Sequence, residues 1–169
     1  MRGLKTTLAL LVVLIGLGAY IYFVASKPKD TSSKQEKVFA SLGADKLTEL
    51  KIKSESGDVT SLKKDGENWT IVSPVSEKAA ASEISNVATA LEQVEVTRVI
   101  DENPTSLKEF GLDPPRVEVE FKSSDAKQNG RLLLGEKNAT GGNFYAKRND
   151  EKRVFLIAAY QGGSLDKST

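Results

Sequence analysis

The sequence of 169 residues contains no cysteine and no histidine. Without cysteine the chain forms no disulfide, carries no thiol nucleophile and offers no cysteine for a lipid anchor. Without histidine it lacks the side chain best suited to proton transfer near neutral pH, and the two absences together remove the usual zinc ligands. Any exported domain of this chain must therefore be stabilised by its apolar core.

An excess of charge of one sign is also absent. The chain has 24 basic and 23 acidic residues. Arg2 and Lys5 precede an apolar N-terminal segment, so the remainder is close to neutral. A near-neutral domain has no net field to attract nucleic acid or an anionic surface. The composition therefore predicts no nucleic-acid partner.

Motifs that indicate catalysis are sparse. The glycine-rich stretch at residues 135–142 (GEKNATGG) lies between strand patterns and lacks the phosphate-loop spacing, so a hairpin loop is the better interpretation. Paired carboxylates such as Asp101 and Glu102 are candidates for acid–base chemistry. Glu118 and Glu120, however, occupy the outward phase of an amphipathic strand, which is typical of a solvated face. The sequence predicts no catalytic residue, no metal site and no cofactor.

The longest apolar run covers residues 8–24 (LALLVVLIGLGAYIYFV), from Leu8 to Val24, and carries no charge. With its flanks it spans about 20 residues, or ~30 Å as a helix, which matches the hydrocarbon core of a bilayer. We predict that residues 1–25 form an uncleaved transmembrane signal anchor in contact with the lipid bilayer. A cleaved signal peptide is the alternative, although its apolar stretch is shorter and is followed by a small-residue cleavage site.

The flanking charges predict the orientation of this anchor. Arg2 and Lys5 favour a cytoplasmic N-terminus, which places the C-terminal domain on the extracytoplasmic side of a single-pass membrane protein. Residues 26–44 begin as a polar stretch (SKPKDTSSKQEK) without aromatic residues, and we interpret them as a stalk. Residues 45–169 then form the folded domain.

Periodicity divides this domain into strands and one main helix. Alternating patterns predict strands near residues 47–53, 59–64, 69–72 and 96–100, and a four-stranded meander over residues 116–158. Residues 78–95 carry an amphipathic stripe formed by Ile84, Val87, Ala88, Leu91 and Val94. The predicted fold class is α+β: antiparallel β-meanders packed with one main amphipathic helix and preceded by a single transmembrane helix.

Several short motifs follow one another along the domain. Trp69-Thr70-Ile71 leads to Pro74, FGLDPP occupies residues 110–115, LG occupies residues 134–135, and FYA occupies residues 144–146. This series resembles the bacterial domain-of-unknown-function family numbered 4340, and FGLDPP is its most specific element. The residues that match the family pattern are Trp69, Pro74, Gly111, Leu112, Asp113, Pro114, Gly135 and Tyr145.

The resemblance implies a membrane-tethered domain of the bacterial inner membrane, periplasmic or otherwise extracytoplasmic, with no assigned activity. Members of the family often occur with ABC-transporter components, including those of the gliding-motility type. Compared with the family pattern the chain also stops early, so we expect a C-terminal truncation or a short form. The resemblance supplies no catalytic residue.

These observations leave three hypotheses for function. The first is a non-enzymatic binding or accessory module that contacts an ABC transporter or another envelope protein through its sheet edges or loops. The second is a glycan- or lipid-binding domain in which Trp69 and Tyr145 form a stacking surface. The third is a carboxylate-dependent envelope enzyme, which requires Asp101 or Asp113 to lie with other polar residues in a cleft.

Overall fold

The computed structural model describes Leu17, Tyr20, residues 36–40 and residues 42–166. The chain divides into two compact units, Met1–Lys34 and Gln35–Thr169. In the first unit Leu17 and Tyr20 are helical and exposed. The rest of the predicted anchor at residues 8–24 lies outside the described residues, as does most of the predicted stalk.

The described part of the second unit forms one antiparallel sheet of nine strands in the order β4-β3-β2-β1-β6-β7-β8-β9-β5. The strands are β1 Leu47–Lys53, β2 Val59–Asp65, β3 Asn68–Ser73, β4 Glu77–Lys78, β5 Arg98–Asp101, β6 Val117–Ser123, β7 Gly130–Lys137, β8 Asn143–Arg148 and β9 Val154–Ala158. The helices are α1 Ala81–Gln93 and α2 Ala159–Leu165, with 3-10 helices at Ala44–Lys46, Lys108–Phe110 and Ala126–Gln128.

The prediction of an α+β fold preceded by a transmembrane helix is wrong. The described residues form a single sheet with two short helices, and no helix among them is long and apolar enough to cross a membrane. The two predicted meanders are joined because β1 pairs with β6, with Leu50 opposite Phe121 and Ile52 opposite Val119. This pairing connects strands distant in sequence, and local periodicity carries no information about it.

The main core lies between the inner face of the sheet and α1. Ile84, Val87 and Leu91 of the helix are buried and belong to the same cluster as Leu50 and Val119 of the sheet. Each such side chain contributes about 1.5–3 kcal/mol when it is fully removed from water. The apolar stripe thus directs α1 onto the sheet, as its periodicity predicts.

The helix is shorter than the predicted range of residues 78–95. It begins at Ala81, because Glu77 and Lys78 form β4 and pair with Ile71 and Thr70 of β3. Pairing with an existing strand satisfies backbone groups that a first helical turn would leave open. The helix ends at Gln93, before the extended residue Val94.

A second, smaller cluster lies on the outer face of the sheet. Leu133 of β7 alternates with Leu132 and Leu134, which point into the main core, so it faces the opposite side. There it packs with Val154 of β9 and with Leu112, which is 2% exposed. Leu112 belongs to residues 102–116, which we call the strap. The strap covers the outer face over β7 and β9.

The start of the second unit is fastened to the sheet by backbone and ionic contacts. Val38 N–H donates to the Val94 carbonyl at 2.9 Å, and Val96 N–H donates to the Glu36 carbonyl at 2.8 Å. Arg153 Nη1 donates to Glu36 Oε2 at 3.1 Å, and this hydrogen bond lowers the pKa of Glu36. Residues 36–38 are therefore held against the segment that follows α1.

Candidate functional site

The outer face of β2, β1, β6 and β7 carries two rows of charged side chains. In the first row Lys63, Glu49 and Lys122 lie opposite one another on three adjacent strands. In the second row Lys51 of β1 faces Glu120 of β6, which in turn faces Arg131 of β7. Every second residue of each strand reaches this face because side chains alternate along a strand.

Several charges of these rows neutralise one another. Lys122 Nζ lies 2.7 Å from Glu49 Oε2, and Lys51 Nζ lies 3.5 Å from Glu120 Oε2. The hydrogen bond between Lys122 and Glu49 lowers the pKa of Glu49 and raises the pKa of Lys122. Both pairs are largely exposed, so each contributes little to stability.

A groove of about 650 Å³ runs over this face, across the strands from β3 to β7. Four strand spacings of ~4.8 Å give it a length of about 19 Å. Val72 lines it at one end, and Asn129, Asn149 and Asp150 line it at the other. Its charged lining comprises four cations (Lys51, Lys63, Lys122 and Arg131) and three carboxylates (Glu49, Glu120 and Asp150).

One of these cations, Lys63, has no ion-pair partner in the described part of the chain. Lys63 attracts Glu49 and helps to lower its pKa, but no described carboxylate forms an ion pair with Lys63. Arg131 Nη1 forms ion pairs with Glu118 at 3.7 Å and with Glu120 at 3.8 Å, and both distances are too long for hydrogen bonds. Lys63 and Arg131 therefore have donors that a ligand can use.

The amides beside Arg131 are oriented by backbone hydrogen bonds. Asn149 Oδ1 accepts from Arg131 N–H at 2.7 Å, and Asn129 Oδ1 accepts from Ser123 N–H at 2.9 Å. Because the oxygens are occupied, the NH₂ groups of Asn129 and Asn149 remain as donors. This end of the groove thus presents amide and guanidinium donors in one lining.

The strap on the same face is held by backbone contact between two glycines. Gly111 has φ +66°, a conformation that glycine adopts without strain, and ends the 3-10 helix Lys108–Phe110. A Cβ on Gly111 would lie 2.8 Å from the backbone nitrogen of Glu136. A Cβ on Gly135 would overlap the carbonyl oxygen of Phe110. The strap can lie directly on β7 because both of these positions are glycine.

The two glycines and an aromatic contact together form what we call the seat of the strap. The rings of Phe110 and Tyr145 meet edge to face with centroids 5.1 Å apart. At the end of the strap, Arg116 donates to Glu136 at 2.6 Å and also forms an ion pair with Glu55. The hydrogen bond to Glu55 is the main cause of a raised pKa at Arg116. Contacts in the middle of the strap and at its C-terminal end thus hold it on the outer face.

Comparison with known proteins identifies the family. A family model described as a domain of unknown function (DUF4340) matches residues 69–169. The chain belongs to the DUF4340 family. No curated protein and no solved structure matches it.

The DUF4340 motifs meet in the folded domain although they are separate in sequence. Gly111 and Leu112 of FGLDPP, Gly135 of the LG motif and Tyr145 of the YA motif all contribute to the seat of the strap. The presence of these residues in the motifs is accounted for by their close packing in this seat. These motifs therefore correspond to the packing of the strap on the sheet.

The other motif residues lie apart from this seat or on its surface. Trp69 is 7% exposed and belongs to the main core on the inner face. Pro74 follows β3 and is exposed, and its peptide bond to Ser73 is cis. Asp113 and Pro114 are exposed in the strap and are also joined by a cis bond.

The candidate carboxylates do not assemble into a catalytic cluster in the described residues. Asp101 accepts a hydrogen bond from Asn103 N–H at 2.8 Å, which forms a local turn, and Glu102 is exposed. Glu118 and Glu120 lie on the outer face beside Arg131. No group of metal-ligating side chains occurs within residues 36–40 and 42–166. Residues 138–142 form the loop between β7 and β8.

Proposed function

We propose that this DUF4340 protein is a non-enzymatic accessory module that binds a partner protein through the groove on its outer face. The observation that carries this proposal is a groove lined by rows of charged side chains on a part of the outer face that no described element covers. The inner face is covered by α1, and the strap covers part of the outer face. Concave surfaces with a few convergent polar groups are the usual form of a recognition site.

The face supports binding better than the edges of the sheet. At one edge β4 has only two residues, Glu77–Lys78. At the other edge β5 has four, with charged ends at Arg98 and Asp101 and a register shift between Val99 and Asp101. Short, charged and irregular edges are the devices that discourage addition of a further strand. We therefore assign the contact to the face.

The proposed location follows from the N-terminal segment. Residues 8–24 are uncharged and apolar, and Arg2 and Lys5 precede them. We propose that this segment holds the protein at the lipid bilayer of the bacterial inner membrane, with the folded unit on the extracytoplasmic side. An envelope protein, such as an ABC-transporter component, is then the class of partner within reach.

The two rival functions find less support. The glycan hypothesis requires exposed rings, whereas Trp69 is buried in the core and Tyr145 packs against Phe110. The enzyme hypothesis requires a polar cleft around Asp101 or Asp113, and both are exposed residues outside the lining of the groove. Neither hypothesis accounts for the charged rows.

Site-specific photocrosslinking in the cells that produce the protein tests the proposal. A photoreactive amino acid replaces Lys51 in the groove or, as a matched control, Ser85, an exposed residue of α1. We expect a discrete protein adduct from position 51 and none from position 85. An adduct from position 85 alone, or none from either position, would contradict the proposal.

A further inference from the structure

The turn between β8 and β9 places an asparagine at one end of the groove in a left-handed backbone conformation. Asn149 has φ +46°, and it is the one non-glycine residue with positive φ in the described part of the chain. It is partly buried and lines the groove beside Arg131. Such conformations persist where the surrounding contacts hold them, and they concentrate at sites that clamp a ligand. The contacts of Asn149 therefore indicate what this turn holds in place.

Three hydrogen bonds fix Asn149 on β7 and β8. Its backbone N–H donates to the Arg131 carbonyl at 2.8 Å, and its Oδ1 accepts from the Arg131 N–H at 2.7 Å. Its own carbonyl accepts from Lys147 Nζ at 2.7 Å. The NH₂ group is then the one polar group of Asn149 without a hydrogen bond to the described residues. Because the amide is planar, the bond to Oδ1 also fixes the direction of this NH₂ group.

The lysine behind this turn is buried. Lys147 is 9% exposed and lies opposite Leu133, which belongs to the smaller core of the outer face. Lysine is rarely buried to this extent because removal of an ammonium group from water is unfavourable, and burial lowers the pKa of Lys147. Within the described residues its Nζ donates to the Asn149 carbonyl alone. An apolar residue would fill the same space without the desolvation, so what the charge supplies is the contact with Asn149.

We propose that Asn149 is the fixed hydrogen-bond donor of the groove and that Lys147 positions it, an inference that rests on the proposed binding function. The NH₂ group of Asn149 donates to an uncharged carbonyl oxygen in the main chain of an extended partner segment. A carboxylate is a poorer ligand at this end, since Asp150 lies in the same lining and Glu120 already forms an ion pair with Arg131. A donor that is fixed in advance also loses little side-chain entropy when it binds.

Photocrosslinking from position 51 in isolated membranes tests the donor, with thermal unfolding as a check of folding. Asn149→Asp keeps the oxygen that accepts from the Arg131 N–H but lacks the NH₂ group. Asn149→Gly removes the NH₂ group without adding charge and suits the positive φ. We expect each variant to lower the yield of partner adduct about threefold to tenfold below saturation, since one net hydrogen bond changes affinity by about that factor.

The matched control is Asn138→Asp. Asn138 Oδ1 also accepts from a backbone N–H, that of Asn143 at 3.2 Å, but Asn138 lies in the loop between β7 and β8, outside the lining of the groove. The control should retain the wild-type yield. An undiminished yield in both Asn149 variants, or an equal loss in the control, would overturn the inference. An adduct from the wild type leaves the proposed function standing in either case, whereas no adduct from the wild type would contradict both.

Two further comparisons test the carbonyl ligand and the role of Lys147. The fold-loss in Asn149→Gly should be the same at low and high salt, because salt does not screen an uncharged contact; a loss that shrinks at high salt would contradict the carbonyl ligand. Lys147→Met should lower the yield in the wild type but not further in Asn149→Gly, as expected of a residue that acts through Asn149. Equal losses in both backgrounds would contradict the positioning role.

Discussion

Replacement of Gly135 by alanine should destabilise the domain through the strap. The new Cβ would overlap the Phe110 carbonyl oxygen and lie 3.0 Å from the carbonyl carbon of Gly111. Both neighbours are backbone atoms, so no side-chain rotation relieves the contact. Because β7 is paired with β6 and β8 on its two sides, the strap must move instead.

The size of the effect follows from two alternatives. Complete release of the strap would expose Leu112, Leu133 and Val154, at about 1.5–3 kcal/mol each, and this sum approaches the stability of a whole domain. A small shift of the strap costs about 1–3 kcal/mol, as overpacking does, and is therefore the favoured response. Alanine restricts the unfolded chain and returns about 0.4–1 kcal/mol. We predict a net loss of about 1–2 kcal/mol in the free energy of unfolding.

Urea unfolding of the full chain in detergent measures this loss. Trp69 is the single tryptophan and is buried, so its fluorescence reports the transition. The matched control is Gly163→Ala, because Gly163 is exposed in α2 and its Cβ would meet nothing within 4 Å. We expect the control to be as stable as the wild type or up to about 1 kcal/mol more stable. A Gly135→Ala protein with wild-type stability, or an equal loss in the control, would refute the packing argument.

Two further predictions concern the N-terminal fastening and the core. Arg153→Gln should lower the free energy of unfolding by about 1 kcal/mol at neutral pH, because it removes the hydrogen bonds to the half-exposed Glu36 and to Glu151. The hydrogen bond lowers the pKa of Glu36 below its ordinary 4.5, so its stabilisation is present above that value and is lost as pH falls through the lowered pKa. The difference in urea midpoint between wild type and variant should therefore be smaller at acidic pH than at neutral pH. Arg98→Gln is the control. A difference that does not change with pH would contradict the assignment of the loss to the Glu36 hydrogen bond. Trp69→Ala should cost about 3–5 kcal/mol in thermal unfolding followed by circular dichroism, and Trp69→Phe distinctly less. An alanine variant of near wild-type stability would show that Trp69 is not a core residue.

Local structure could be predicted where one physical pattern dominates. Val117, Val119 and Phe121 alternate with charged residues, and β6 has the half-buried face that this alternation indicates. The Asp-Gly pair at residues 65–66 is typical of a hairpin turn, and it lies between the paired strands β2 and β3. Gly111 directly follows the 3-10 helix Lys108–Phe110, the position at the end of a helical turn where glycine is favoured.

Elements that depend on tertiary contacts could not be predicted in the same way. Helix α2 contains Gly162 and Gly163, which disfavour helices in isolation. Gly162 lies against the ring of Phe144, where a Cβ would come within 2.9 Å of Cε2, so close packing favours glycine there. Local sequence patterns also do not predict the pairing of β1 with β6. This pairing joins the two groups of strands into one sheet and so decides the fold class.

The candidate site shows the same limit. The sequence marks Lys63 and Arg131 only as charged residues on outward phases, like many solvated lysines and arginines. Their candidate role in binding depends on the strand order, which brings both of them to the lining of one groove. The family motifs point to other residues, and the positions of Gly111, Gly135 and Trp69 in the fold give them structural roles in the strap and the core.

The central claim is that the charged groove contacts the partner, and charge reversal combined with crosslinking tests it most directly. The photoreactive residue at position 51 is placed in the wild-type protein, in Lys63→Glu/Arg131→Glu and in Lys46→Glu, with thermal unfolding as a check of folding. Lys46 is the matched control because it is an exposed cation outside the lining of the groove. We predict that the partner adduct is lost in the double variant and retained in Lys46→Glu. An adduct of undiminished yield in the folded double variant would contradict the account.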